Sequence, residues 1–210
     1  MRTLIAIPCM DMIHTNTVIS LTGLRLAGEV KFAYAVSSLV YDARNSLARQ
    51  AIVENYDRVL WLDSDMEFSP DLYEKLSADL DEGRDIVSAF YVTRKGKIKP
   101  VIFDKCGYER LKKESNEIMP YAHTYYDYPQ DSIFEIEACG FGGVLMNTSV
   151  LKKVEETYGL PFAPILGFGE DISFCMRARE AGFKVWCDSR VKMGHIGNHV
   201  FSEEDYERTT

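Results

Sequence analysis

The chain has 210 residues, of which 46% are hydrophobic and 27% are charged, and its formal net charge is -8. This length is sufficient for one domain with its own hydrophobic core, and the composition excludes a disordered, fibrous or membrane class. The acidic balance disfavours attraction to nucleic acid or anionic lipid through the overall field. Two local basic runs, 94–99 and 110–113, are interpreted as solvated loops.

No apolar run approaches the roughly 20 residues that cross a bilayer, and the apolar segment before Pro8 is too short for a signal peptide. The five cysteines are an odd number and include no C-x-x-C pair. They therefore indicate neither a disulfide framework nor a zinc cluster. We expect a protein without a membrane span that works in the reducing cytoplasm.

Strands and helices alternate over the first 93 residues. Short apolar runs predict strands at 4–8, 30–37, 58–62 and 85–93. Runs of good helix formers predict helices at 15–28, 41–55 and 70–81, the last with Pro70 in its first turn and Gly83 after its end. Such alternation implies parallel strands joined by helices, a Rossmann-like half in which ligands bind beyond the carboxyl ends of the strands.

The second half of the chain has a different pattern. Residues 101–128 are polar and rich in tyrosine, with weak periodicity, and strands are predicted at 133–138 and 143–146. A helix is predicted at 170–181, ended by Gly182, and a strand at 183–187. We expect mixed β structure here, so the whole chain predicts a single α/β domain.

Two carboxylates, Asp63 and Asp65, flank Ser64 directly after the predicted strand 58–62. Oxygen ligands at a strand end suit Mg²⁺ or Mn²⁺ bridging a diphosphate. A surface turn in which these acids cap the helix at Pro70 is the alternative, because D-x-D triplets are common. A phosphatase of the haloacid dehalogenase type also has D-x-D after a strand, but with Thr or Val where Glu67 stands.

A second constellation begins at Gly167 and Gly169 and continues with the acid pair Glu170 and Asp171 at the start of a predicted helix. The glycines leave room for a ligand near the backbone, and the helix N-terminus partly stabilises the carboxylates. The alternative is an acid pair that only caps a packing helix. Both interpretations stay open for this segment considered alone.

Together these segments resemble the GT-A glycosyltransferases, especially family 2 and its small bacterial and phage relatives. The shared pattern is a hydrophobic strand ending in D-x-D, a glycine-led apolar segment, G-E-D, R-x-x-x-A-G, a strand and a histidine. In this chain these motifs are 61–66, 142–146, 169–171, 177–182, 185–187 and His195. The resemblance covers most of residues 1–200 and implies a single GT-A domain, with residues 1–93 as the nucleotide-binding half and 94–210 as the acceptor-binding half.

The resemblance also implies a metal site and a donor site. Asp65 would bind Mn²⁺ or Mg²⁺ directly, Asp63 would contact the ribose or the metal-bound water, and His195 would be a third ligand from the C-terminal region. The implied donor-binding residues are Pro8, Cys9, Asp11, Arg44, Asn45, Asp63, Ser64 and Asp65. Alternatively, His195 is satisfied in a turn and Arg44 is a helix-surface ion-pair partner. His199 is four residues after His195, but glycines interrupt the helix that a zinc pair would need.

The implied reaction moves a sugar from a nucleotide-sugar, with UDP the commonest nucleotide in such enzymes, to an acceptor hydroxyl. An inverting transfer needs a base near that hydroxyl, and we assign Asp171 to this role, with Glu170 holding the acceptor. The acceptor could be a glycan, a cell-wall component, a small molecule or a modified nucleic acid, in the cytoplasm or, for a phage enzyme, the host cytoplasm. The alternatives are a sugar nucleotidylyltransferase and a non-catalytic carbohydrate-binding domain that uses the tyrosines of 108–128.

Overall fold

The computed structural model describes residues 1–94, 96–110, 118–197 and 200–206. Lys95 of the first basic run, residues 111–113 of the second, and His199 lie outside the described residues. None of the helices in the described ranges is both long and apolar enough to cross a bilayer.

Helices and strands largely alternate up to residue 90, and strands predominate after it. The elements in chain order are β1 (Arg2–Cys9), α1 (Thr15–Gly23), β2 (Glu29–Val36), α2 (Val40–Val53), β3 (Arg58–Leu62), β4 (Met66–Phe68), α3 (Leu72–Asp81), β5 (Ile86–Phe90), β6 (Ile102–Arg110), β7 (Ile118–Thr124), β8 (Ile133–Ile136), β9 (Ala138–Cys139), β10 (Gly143–Asn147), α4 (Thr148–Tyr158), α5 (Glu170–Glu180), β11 (Val185–Ile196) and β12 (Val200–Phe201).

Within the described residues, nine strands form one sheet in the order β12-β11-β5-β10-β3-β1-β2, with β4 and β8 pairing with β11. Strand β1 is parallel to β2 and β3, and β11 is parallel to β5. Strand β10 lies between β3 and β5 and is antiparallel to both. The predicted α/β class, with a Rossmann-like part and a mixed central sheet, is confirmed.

The centre of the sheet is buried on both faces. Every residue of β3 and β5 is buried, and successive side chains of a strand point to opposite faces. On β3, Val59 and Trp61 belong to a core cluster with α2, α4 and α5, whereas Leu60 and Leu62 belong to a cluster with α1 and α3. Helices therefore cover both faces, which leaves the strand ends as the exposed edge of this layer.

Several elements differ from their predicted bounds. Helix α1 ends at Gly23, not residue 28, because the chain turns there and Arg25 N donates to Pro70 O at 2.9 Å. Strand β11 continues to Ile196 rather than ending at Cys187, since it gains new partners along its length. The segment 101–128 contains the β6–β7 hairpin, which confirms the expected β structure, and α4 is a helix that the sequence pattern did not predict.

An ionic cluster with two buried carboxylates and a half-exposed arginine fastens α3 to β11. Asp79 of α3 and Asp188 of β11 are both almost fully buried. Arg190 joins them, with Nη2 3.0 Å from Asp79 Oδ1 and Nε 2.8 Å from Asp188 Oδ1. Burial, and then the neighbouring Asp188, raise the pKa of Asp79 to about 6. The cluster matters for the site because β11 also carries His195.

We expect Arg190→Gln to lower the free energy of unfolding by about 1 to 3 kcal/mol, because two buried carboxylates would lose their shared cation. Urea denaturation at neutral pH measures the change. Arg25→Gln is the matched control, since the Arg25 side chain is 58% exposed where it pairs with Glu74 and should cost less than about 1 kcal/mol. Equal losses in the two variants would contradict a structural role for the cluster.

Candidate active site

A cleft of about 420 Å³ opens at the carboxyl edge of the parallel strands β1, β3 and β5. This is the edge at which open α/β sheets bind their ligands. Predicted site residues that line the cleft are Pro8, Cys9, Arg44, Asp63, Ser64, Asp65, Glu170, Asp171 and His195. The structure therefore brings together residues that are up to 187 positions apart in the chain, from Pro8 to His195.

The turn 63–65 is held by backbone hydrogen bonds on both sides. Asp63 N donates to Gly142 O at 3.3 Å, which ties the turn to the start of β10. The Ser64 carbonyl accepts from His14 N at 2.8 Å and from Thr17 Oγ1 at 3.2 Å. These bonds fix the point at which the chain leaves buried β3, so both acids of the triplet stay at the cleft.

Strand pairing brings His195 to the same place. The register of β4 with β11 puts His195 opposite Met66, the residue after Asp65. The next residue, Ile196, donates its N–H to Asp65 O at 2.8 Å. The C-terminal strand and the D-x-D turn are therefore coupled through the backbone, which is why a histidine distant in sequence lies beside Asp65.

The His195 ring has a fixed orientation. Its Nδ1 lies 3.0 Å from Val92 O, and a carbonyl can only accept, so a neutral His195 carries its proton on Nδ1 and has its lone pair on Nε2. Nε2 lies 3.7 Å from Asp65 Oδ1. Tyr91 packs edge-on against the imidazole, with ring centres 5.6 Å apart. In this neutral tautomer the unprotonated Nε2 faces the Asp65 carboxyl group.

Tyr91 explains the glycines at the start of β10. Its hydroxyl accepts from Gly142 N at 3.2 Å, and a Cβ on Gly140 would lie 2.1 Å from the same oxygen. Burial is the main reason that the pKa of Tyr91 lies well above its usual value. The residue is therefore a neutral hydroxyl that packs beneath the cleft.

Arg44 lies under the cleft between the two groups of acids. Its side chain is only 2% exposed, with Nη2 2.7 Å from Asp63 Oδ1 and Nε 3.2 Å from Glu170 Oε1. Burial opposes the charge, but Asp63, Glu170 and Asp171 outweigh it and raise the pKa of Arg44. The guanidinium carbon also lies 5.3 Å from the centre of the Phe141 ring, an arrangement that favours a cation.

The acid pair begins α5, as the sequence predicted. Glu170 and Asp171 occupy the first turn, after the N-cap residue Gly169. Asp171 Oδ1 accepts from Ile172 N at 2.7 Å. Burial, and then the adjacent Glu170, raise the pKa of Asp171 to about 6. A carboxylate with such a pKa is a stronger base than an ordinary aspartate and is mostly ionised at neutral pH.

The loop before the acid pair is supported by the β6–β7 hairpin. Tyr108 Oη donates to Leu166 O at 2.7 Å, and the Tyr108 ring packs edge-on against Phe168. Gly167 has φ +86°, and a Cβ there would lie 2.3 Å from Pro120 Cγ. This glycine therefore permits close packing of the hairpin. The sequence had instead predicted that it leaves room for a ligand.

Two predicted donor residues do not line the cleft. Asp11 is exposed outside it. Asn45 is buried, and its Oδ1 accepts from Phe162 N at 2.9 Å, which fastens α2 to the segment after α4. Lining residues that the sequence analysis did not assign to a site are Met10, Ser37, Ser38, Val40, Tyr91, Arg94 and Phe141. Ser37, Tyr91 and Arg94 follow the parallel strands β2 and β5. That position in the sequence could have identified them as candidates.

The side chains beside the 63–65 turn are compatible with a divalent cation. Asp65 offers oxygen and His195 offers Nε2, and the Val92 carbonyl orients the imidazole as metal-bound histidines require. One oxygen of Asp63 is already engaged by Arg44. Within the described ranges, no three His, Cys, Asp or Glu residues form a ready metal cluster. Mg²⁺-type sites commonly combine one or two carboxylates with substrate phosphates, so two side chains fit such a site.

No protein-family model and no curated protein matches the chain. Among solved structures, A197 from STIV is 20% identical, over 100% of this chain and 92% of that one, with a TM-score of 0.67. TarS 1-349 from S. aureus is 16% identical, over 98% of this chain and 62% of that one, with a TM-score of 0.54. GalNAc-T7, solved with UDP, GalNAc and Mn²⁺, is 14% identical, over 97% of this chain and 38% of that one, with a TM-score of 0.53. The chain has the GT-A glycosyltransferase fold.

The raised pKa of Asp171 predicts a pH-dependent cost in stability. The folded protein binds this proton more tightly than the unfolded chain, so ionisation removes stability as the pH rises from about 4 to about 6. We expect Asp171→Asn to raise the free energy of unfolding by about 1 to 3 kcal/mol at pH 8, with no gain at pH 4. Urea denaturation at the two pH values measures this. The exposed Asp11→Asn is the control, and a gain that is equal at both pH values would contradict the assignment.

Proposed function

We propose that the protein is a metal-dependent glycosyltransferase that moves a sugar from a nucleotide-sugar, with UDP as the nucleotide, to an acceptor hydroxyl with inversion. The observation that carries this proposal is the joint presence of Asp65, His195 and Asp171 in one cleft. That cleft lies at the strand edge of a GT-A fold. A cation held by Asp65 and His195 would neutralise the leaving group, and a base of raised pKa would accept the proton of the acceptor hydroxyl.

In this proposal, residues 1–93 bind the donor and residues 94–210 bind the acceptor. Pro8 and Cys9 line the cleft at the end of β1, where the base and ribose would lie. Arg44 engages Asp63 and holds it in place. Asp65 and His195 would hold Mn²⁺ or Mg²⁺. When bound there, the cation supplies Lewis-acid neutralisation of the charge that the diphosphate leaving group gains.

Asp171 performs the proton transfer. It accepts the proton of the acceptor hydroxyl while the acceptor oxygen forms a bond to the anomeric carbon and the bond to the diphosphate oxygen breaks on the opposite face. Burial beside Glu170 raises the pKa of Asp171 to about 6, which increases basicity without protonating the group at neutral pH. The hydrogen bond from Ile172 N fixes one carboxylate oxygen.

The identity of the acceptor and the cytoplasmic location stay predictions of the sequence.

The two alternative functions lack a supporting observation in the cleft. A sugar nucleotidylyltransferase would carry a glycine-rich basic loop after the first strand, and residues 9–14 contain neither glycine nor Lys or Arg. A carbohydrate-binding domain would need exposed aromatic platforms. Tyr108 instead uses its hydroxyl and ring to support the loop before the acid pair, and Tyr121, Tyr125, Tyr126 and Tyr128 do not line the cleft.

Asp65→Asn should abolish Mn²⁺-dependent nucleotide binding, because the amide has lost the negative charge that attracts the cation. Isothermal titration with UDP and with GDP, each with and without Mn²⁺, measures the effect. The parent should bind UDP more tightly with Mn²⁺ than without it. A metal-free lectin would show no such dependence, and an Asn variant with the parent's metal-linked affinity would place the site elsewhere.

Asp171→Asn should lower the rate of UDP release from the UDP-sugar that the parent turns over by roughly 10²- to 10⁴-fold, the usual contribution of a general base. Donor affinity should barely change. Glu170→Gln is the contrast, since a residue that holds the acceptor affects acceptor KM as well as turnover. The parent's rate should fall below pH 6 as Asp171 gains a proton. Near-parent turnover in Asp171→Asn, or a product that keeps the donor's anomeric configuration, would refute the inverting mechanism.

A further inference from the structure

Arg94 is a cation in the cleft to which the proposed mechanism gives no role. It follows β5 and lines the cleft. Its guanidinium makes an ion pair with Asp65 Oδ2, and Nη1 also donates to Ile196 O at 2.8 Å. The other Asp65 oxygen faces His195 Nε2. Arg94 therefore occupies one oxygen of the carboxylate that is proposed to bind the metal.

Each acid of the triplet has its own arginine, but the two arginines are held differently. Arg44 is 2% exposed and bridges Asp63 and Glu170. If it moved away, both acids would lose their cation partner, which is costly in a partly buried site. Arg94 is 35% exposed, and among the described residues its one ion-pair partner is Asp65, itself 22% exposed, beside the hydrogen bond to Ile196 O. Ion pairs that water can reach contribute little to stability. Arg94 can therefore exchange partners at small cost, whereas Arg44 cannot.

A divalent cation and a guanidinium compete for the same negative charge. The Asp65 carboxylate is fully available to a metal only when Arg94 has moved away, because two cations on one carboxylate repel each other. A displaced Arg94 would need another anion within reach. A guanidinium recognises phosphate oxygens well, since its planar donors match them in pairs and it is weakly hydrated. The donor's diphosphate would enter the cleft that Arg94 already lines.

We propose that Arg94 is an exchangeable cation that neutralises Asp65 in the donor-free protein, yields this carboxylate to the metal, and then binds the donor's diphosphate. The proposal rests on the proposed function, because it requires a metal and a nucleoside diphosphate in this cleft. It gives Arg94 opposite effects on two binding steps. Arg94 opposes binding of the metal alone and favours binding of the diphosphate, a combination that a merely structural residue would not produce.

The test compares the parent, Arg94→Gln and Lys97→Gln. Lys97 is the matched control because it removes one positive charge from the same loop, and its Nζ lies 6.0 Å from the Tyr126 ring centre. Mn²⁺ alone is titrated first, and UDP is then titrated at saturating Mn²⁺, both by calorimetry. Thermal unfolding without metal checks that each variant is folded.

For Arg94→Gln we expect Mn²⁺ alone to bind about tenfold more tightly, the change expected if only a tenth of the parent molecules have Asp65 free. UDP at saturating Mn²⁺ should bind about tenfold more weakly, because a charged phosphate contact is lost. Lys97→Gln should resemble the parent in both titrations. The opposite signs of the two changes would support the exchange.

Unchanged or weaker Mn²⁺ binding by Arg94→Gln would overturn the exchange, and unchanged UDP affinity would overturn the diphosphate contact. In both cases the proposed function survives if the parent binds UDP in a Mn²⁺-dependent way. Parent UDP affinity that is insensitive to EDTA would overturn both the exchange and the metal requirement, but not the donor site. Absence of any UDP binding by the parent would refute the proposed function itself.

Discussion

The site is organised around one buried charge. Arg44 has almost no exposed surface, and a guanidinium cannot give up its proton in a protein. Such a charge is tolerated only where acids surround it, so α2 must face both the end of β3 and the start of α5. Asp63 and Glu170 meet this requirement. The ion pairs that stabilise the buried charge of Arg44 therefore also fix the distance between the 63–65 turn and the acid pair.

Strand β11 provides the second constraint. Its first residues run parallel to β5, the register shifts between Asp188 and Lys192, and its last residues run antiparallel to β4. Arg190 lies within the irregular part, where it joins two buried carboxylates. The strand can thus leave the central sheet and reach the D-x-D turn with His195. Arg190 and His195 thus lie on the same strand, so the ion pairs that stabilise the strand also help to position His195.

The sequence was informative where a single local rule decides the outcome. Alternating elements predicted the parallel strands and a ligand site beyond their carboxyl ends, which is where the cleft lies. It was less informative where tertiary partners decide. Nothing local indicates that β11 continues to Ile196, because its extension depends on pairing with β4. Arg94 was grouped with a basic loop, since charge counting does not reveal that Asp65 is its partner.

Helix α4 is a second element that the sequence pattern did not predict. Its buried residues Val150, Leu151 and Val154 have helical spacing, but the preceding buried strand β10 ends directly at Asn147 without a loop. Residues 144–154 contain neither glycine nor proline, so no turn residue marks the change from strand to helix. Asn45 was assigned to the donor by its neighbour Arg44, yet successive residues of a helix point in different directions. One faces the cleft and the other fastens the backbone at Phe162.

The cleft carries a surplus of negative charge. Four carboxylates line it, from Asp63, Asp65, Glu170 and Asp171, against the guanidiniums of Arg44 and Arg94. A diphosphate entering this surplus of negative charge would be repelled, and Arg44 is already committed to two acids. Arg94 alone cannot neutralise both Asp65 and a diphosphate. In the proposed function, Asp65 and His195 would hold a divalent ion that supplies the missing positive charge, and Asp171 would stay ionised as the proposed base.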